Sequence, residues 1–117
     1  MNLNKVFAVA NLVQDPELRF TTEGKPFLTL RLAINTPYKD KAGEWQQQAC
    51  FIGAVCWYNA ESLNDTLTKG DSIMIEGGLQ QRSWEKDGQK RSVIEIKISR
   101  VQYVKVKKYM KENKEND

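Results

Sequence analysis

Tyr38 opens a polar stretch, Phe51 and Trp57 stand six residues apart in one apolar segment, and Trp84 comes just before Asp87-Gly88. Arg31, Lys39, Lys41, Arg82, Lys86, Lys90 and Arg91 lie near them along the chain. A flat ring can accept the face of a nucleic-acid base while a neighbouring cation follows the phosphates. That pairing suits single strands of any sequence, because every base has a π-face. Each residue also has a plain structural reading. Phe51 could be a core residue, Trp57 could close the end of a barrel, Tyr38 could lie flat on a hairpin, Trp84 could be a cross-strand partner of Val93, and the cations could be solvated surface.

Other chemistry is poorly provided for. The chain has no histidine, which removes Ser/His and Cys/His catalysis and every imidazole metal site. Cys50 and Cys56 lack CxxC spacing and cannot form a four-ligand zinc site; they read as small buried residues in a reducing compartment. Glu76-Gly77-Gly78 is not followed by GK[ST] or by a helix start, so it reads as a place where a barrel strand bends sharply rather than as a phosphate loop. The carboxylates are scattered among lysines and suggest no two-metal site. The expectation is a protein that is not an enzyme and needs neither metal nor cofactor.

With 117 residues, the chain has room for one domain with a real core. Charged residues make up 28% and apolar types 40%, the balance of an ordinary globular protein. The net charge is +3, of which +2 falls in residues 105–117, so the remainder carries only +1. A basic groove must therefore come from where the charges sit, not from their sum. The start has no signal-peptide layout, and no apolar run approaches the roughly 20 residues of a membrane span. The expected location is the cytoplasm, with no membrane partner.

The elements that must position the rings can be read in order. Val6 to Val13 is an apolar run closed by the turn signal Gln14-Asp15-Pro16. Leu28, Leu30, Leu32 and Ile34 alternate with Phe27, Thr29, Arg31 and Ala33, the clearest strand signal in the chain. Lys39 to Glu44 holds the glycine of a hairpin, and a strand follows from about Gln47 to Trp57. In that strand Phe51, Gly53, Val55 and Trp57 share one face, and Cys50, Ile52, Ala54 and Cys56 the other, core face. Asn59 can cap a short helix with Leu63 and Leu67 as its apolar pair, and Lys69-Gly70 is its expected end. Ser72–Glu76 and Leu79–Trp84 flank Gly77-Gly78, and Asp87-Gly88 is a hairpin signal. Ile94, Ile96 and Ile98 alternate with Glu95, Lys97 and Ser99, after which the phase slips; a bulge or a change of face near Arg100 would explain it. Three strands, a helix and two more strands predict an all-β fold: a small five-stranded Greek-key barrel with one short helix, the OB-fold, over residues 1–104. An SH3-like barrel does not ask for a helix at this place. Residues 105–117 are expected to be a charged, disordered tail.

The sequence resembles the bacterial single-stranded DNA-binding (SSB) family from about Asn4 to Val104. The resemblance is carried by Asn4-Lys5-Val6 with Asn11-Leu12, Asp15-Pro16-Glu17-Leu18-Arg19-Phe20, Lys39-Asp40-Lys41-Ala42-Gly43-Glu44, Ala60-Glu61, Lys69-Gly70-Asp71-Ser72, Ile75-Glu76-Gly77-Gly78-Leu79, and Arg82-Ser83-Trp84 with Asp87-Gly88-Gln89. No single piece is specific; their order and spacing are. The resemblance implies an OB-fold that wraps single-stranded DNA without strong sequence preference during replication, recombination and repair, and that assembles as a homotetramer. It places the stacking rings at Tyr38, Phe51, Trp57 and Trp84, the first two standing where tryptophan is frequent in the family. Between Trp57 and Ala60 this chain is about one residue shorter than the family pattern. Family members continue into a linker with an acidic tip that recruits replication and repair proteins. This sequence ends Lys-Glu-Asn-Lys-Glu-Asn-Asp, so that role is not carried over. Phosphate contacts are expected from Lys5, Arg31, Lys39, Lys41, Lys69 and Arg82, and an exposed strand edge such as Lys5–Val9 would suit pairing between subunits. The alternatives are an OB module for protein interaction, as in primosome assembly, and an RNA-binding OB domain.

Overall fold

Leu28, Leu30 and Leu32 place three branched side chains on one side of an extended segment, and all three are buried. They belong to β3 in the computed structural model, which describes residues 1–104; the tail expected over 105–117 lies outside the described residues. The elements in chain order are β1 (Val6–Leu12), β2 (Glu17–Phe20), β3 (Pro26–Lys39), β4 (Trp45–Cys56), α1 (Ala60–Thr66), β5 (Ser72–Lys86) and β6 (Gln89–Val104).

The strands close on themselves in the order β1-β5-β6-β4-β3, and β3 returns to β1 through Asn11↔Ala33 and Leu12↔Leu32. The β4–β6 contact, Ala54↔Ile96 to Cys56↔Ile98, is parallel, whereas the other pairings are antiparallel. This is the closed five-stranded barrel with one helix that the order of segments predicts. Inside it Leu12, Leu28, Leu32, Leu67, Ile73, Ile75 and Ile96 are fully buried, each such side chain contributing about 1.5–3 kcal/mol relative to exposure.

Three details differ from the sequence reading. The strand β2 was not expected: Glu17↔Thr29 to Phe20↔Pro26 continues along β3 where β1 leaves off. The helix begins after Asn59 as expected, but that residue sits at φ 50 and its side chain makes no capping bond. The helix also ends at Thr66 with Leu67 as its C-cap, so Gly70 belongs to the following turn, where its N–H donates to the Leu12 carbonyl at 2.8 Å.

The two long hairpins follow their turn signals. Asp87 and Gly88 adopt φ 54 and 76, the left-handed pair a two-residue hairpin requires. The phase slip in β6 is a bulge: Glu76 pairs with Arg100 and Gly77 with Ile98, leaving Ser99 as the extra residue. Its hydroxyl donates to the Glu76 carbonyl at 3.0 Å. Gly77 faces this bulge so closely that a Cβ there would lie 2.2 Å from the Lys97 carbonyl oxygen.

Candidate nucleic-acid interface

The β3–β4 register is unbroken from Leu28↔Cys56 to Lys39↔Trp45, so odd-numbered residues of both strands share one face of the ribbon. Phe51 is opposite Ala33, Gly53 opposite Arg31 and Val55 opposite Thr29. Trp57 continues the series beside Phe27, ring centres 4.6 Å apart and planes tilted by 30°. Lys25 Nζ lies 5.2 Å from the Trp57 ring centre. Phe51 and Trp57 therefore do point away from the core, as their spacing predicts.

A groove of about 490 Å³ runs between this face and the β5–β6 hairpin, with Gly53 and Val55 in it and Arg19, Arg31 and Arg82 among its walls. Gly53 keeps the floor low beside the Arg31 guanidinium. On the opposite wall Gln80 pairs with Glu95, Arg82 with Val93 and Trp84 with Arg91. Glu95 is 4% exposed; its Oε1 accepts from Arg82 Nε and from Gln80 Nε2, both at 3.1 Å. Held by that carboxylate, the Arg82 guanidinium lies 4.8 Å from the Trp84 ring centre. A buried acid in a cationic groove is best understood as the anchor of this arginine, since an unpaired charge there would be strongly unfavourable.

The expected residues are thus divided among several places. Phe51, Trp57, Arg31, Arg82 and Trp84 surround or flank the groove. Tyr38 is opposite Gln46 and faces the other side of the ribbon from Phe51. Lys39 and Lys41 are on the projecting β3–β4 hairpin. Lys5 lies 3.7 Å from Glu76, and the Lys69 N–H donates to Asp15 Oδ1 at 2.8 Å; neither lysine lines the groove. Cys50 is exposed rather than buried, because β4 outruns the barrel at that point. Cys56 is buried as expected; burial pushes its thiol pKa up, and the thiol donates to the Tyr58 carbonyl at 3.2 Å.

Sequence reasoning passed over Phe27, Lys25, Arg19 and Trp45. Phe27 and Trp45 had a legible signal, the odd parity they share with Arg31 or with Phe51 and Trp57. Arg19 had none, since β2 becomes a strand only by pairing with β3. At the hairpin tip, Asp40 Oδ1 accepts from the Glu44 and Ala42 N–H groups, each at 2.9 Å, and its Oδ2 accepts from Gln46 Nε2 at 3.2 Å. The Glu44 N–H, then the Gln46 amide, hold its carboxyl pKa below the usual value. The tip is therefore a braced turn. Among the described residues no group of three or more His, Cys, Asp or Glu side chains could hold a metal.

Residues 3–104 match the Single-strand binding protein family. The chain belongs to that family. A Single-stranded DNA-binding protein 2 from Chlorobaculum tepidum is 37% identical over 109 residues, which is 91% of this chain and 74% of the relative. The Single-stranded DNA-binding protein of Deinococcus radiodurans is 36% identical over 101 residues, 86% of this chain but 34% of the relative. The match thus spans only about a third of the length of some members of the single-strand binding family. In structure it is similar to a deletion mutant of the single-stranded DNA binding protein from Thermus aquaticus, with a TM-score of 0.77 and 31% identity over 90% of this chain and 52% of that one. Among the described residues no helix is long and apolar enough to cross a membrane.

Proposed function

We propose that this chain binds single-stranded DNA with little base preference and without bond making, protecting exposed strands in the cytoplasm, on the nucleoid, during replication, recombination and repair. The observation that carries the reading is the outward face of β4. Trp57 lines an open groove with Gly53 and Arg31, Phe51 continues the same face just beyond Gly53, and the Arg82–Trp84 pair stands across from them. Bases stack on the rings and the guanidinium and ammonium groups follow the phosphates. Tyr38, Lys39 and Lys41 extend the contact onto the hairpin. Lys5 and Lys69, which lie off the groove, take up phosphates where the strand leaves it. The names of the relatives agree with this reading. Titration with an oligothymidylate should quench the fluorescence of Trp57 and Trp84, with affinity far above that for a duplex of equal length. Equal affinity for the duplex rejects the proposal, and preference for the matching oligoribonucleotide moves it to RNA.

The working unit in this reading is a homotetramer. Along Val6–Ala10, β1 pairs with β5 on one side only, since β3 joins it at Asn11 and Leu12. That leaves backbone donors and acceptors available to another subunit. On the adjoining sheet face Phe7, Val9 and Met74 are exposed apolar side chains. Light scattering at micromolar concentration should give about four times the mass of one chain; the mass of a single chain contradicts assembly.

A further inference from the structure

Trp45 is the most exposed of the three tryptophans, at 69%. Its cross-strand partner is Lys39, whose Nζ lies 5.6 Å from the ring centre. Large exposed rings need a reason, since burying them is favourable. The register supplies one. Trp45 and Phe51 are odd positions of one uninterrupted ladder, and Trp57, the residue after its last pair, packs on Phe27 at the same parity, so the three rings follow one face of the ribbon at six-residue steps, about 20 Å of strand per step. Between Trp45 and Phe51 that face carries only Gln47 and Ala49, with Pro37, Asn35 and Ala33 opposite. Its charges are Lys39 and Arg31; no carboxylate stands on it from Phe27 to Lys39 or from Trp45 to Trp57. The Asp40 brace at the tip also fixes the platform, so little order is lost when a ligand arrives.

We propose that Trp45, with Lys39 as its phosphate partner, is a further base-stacking site that lengthens the single-stranded DNA track from the barrel groove onto the β3–β4 hairpin. This rests on the single-strand binding reading above. Phe51 and Trp57 hold the part of the strand over the barrel, and Trp45 takes bases several nucleotides further along.

The test compares oligothymidylates of about 4 and about 16 nucleotides, the two ends of the range for one OB domain, on the whole chain. Trp45→Ala should weaken binding of the longer strand by about 5- to 100-fold and leave the shorter one unchanged; Trp45→Phe should restore most of the loss. A 5-iodouracil placed near one end of the longer strand should photo-crosslink to Trp45. Wild-type affinity of Trp45→Ala for the longer strand, with Trp57→Ala weakened, overturns the extra site and leaves the function standing. Wild-type affinity of both folded variants removes the stacking reading as well. Equal losses for the two lengths, or a changed scattering mass of Trp45→Ala, also overturn the proposal, because the ring would then serve the fold or a second copy of the chain.

Discussion

Replacing Trp57 with alanine should weaken oligothymidylate binding by about 5- to 100-fold at every salt concentration while leaving the salt slope nearly unchanged. The magnitude follows from about 1–3 kcal/mol for each stacked base and about 1.4 kcal/mol for each tenfold in affinity. The ring has few other duties, since it packs on Phe27 and under Lys25 at the rim of the groove, 36% exposed. Trp84→Ala should act in the same way, and the double variant should lose less than the sum of the two. Cations behave differently. Lys41→Ala should reduce the slope of log K against log salt by about 0.7, the value for one phosphate neutralised on a single strand. Arg82→Ala should reduce it less, because Glu95 already neutralises much of that guanidinium at 3.1 Å. Fluorescence titrations from low to high salt separate these effects. If both tryptophan variants stay folded and bind like wild type, the rings are structural and the stacking mechanism fails.

Gly77→Ala should cost about 3 kcal/mol or more of folding stability, and lower the melting temperature by about 10 °C or more. The added Cβ would lie 2.2 Å from the Lys97 carbonyl oxygen, 3.0 Å from its carbon and 3.1 Å from Ile98 Cα. All three are backbone atoms, so no side-chain rotation relieves the clash. The strands β5 and β6 would have to separate at the bulge, next to the buried Ile75 and Ile98. Gly53→Ala is the matched control, since its Cβ would meet nothing nearer than 3.9 Å, and its melting temperature should stay within a few degrees of wild type. Thermal unfolding followed by circular dichroism measures both. A wild-type midpoint for Gly77→Ala would show that the strands part there without penalty, contrary to the close approach.

Alternation was a reliable guide to which residues share a face and an unreliable guide to which face is dry. Cys50 and Cys56 have one parity on β4, yet Cys56 is buried and Cys50 exposed. In β6 the pattern marks Ile94 as core and Glu95 as solvated. The structure reverses them, with Ile94 57% exposed and Glu95 4%, because Ile94 stands beyond the barrel while Arg82 and Gln80 cover the carboxylate. Likewise Val55 is on the outward face of β4 but is buried under the groove walls.

The amino-acid sequence by itself determined the order of the five barrel strands and the helix, the hairpin at Asp87-Gly88, the phase slip that becomes the Ser99 bulge, and the common face of Phe51 and Trp57. These follow from backbone geometry over a few residues, where side chains alternate with period two and turns need particular φ values. Tertiary structure alone decided the strand Glu17–Phe20, the seat of Glu95 beneath Arg82, the turning of Tyr38 away from the face that carries Trp45, and the point at which each hairpin leaves the barrel. Those depend on which distant segment lies opposite, and no local period in the chain records that.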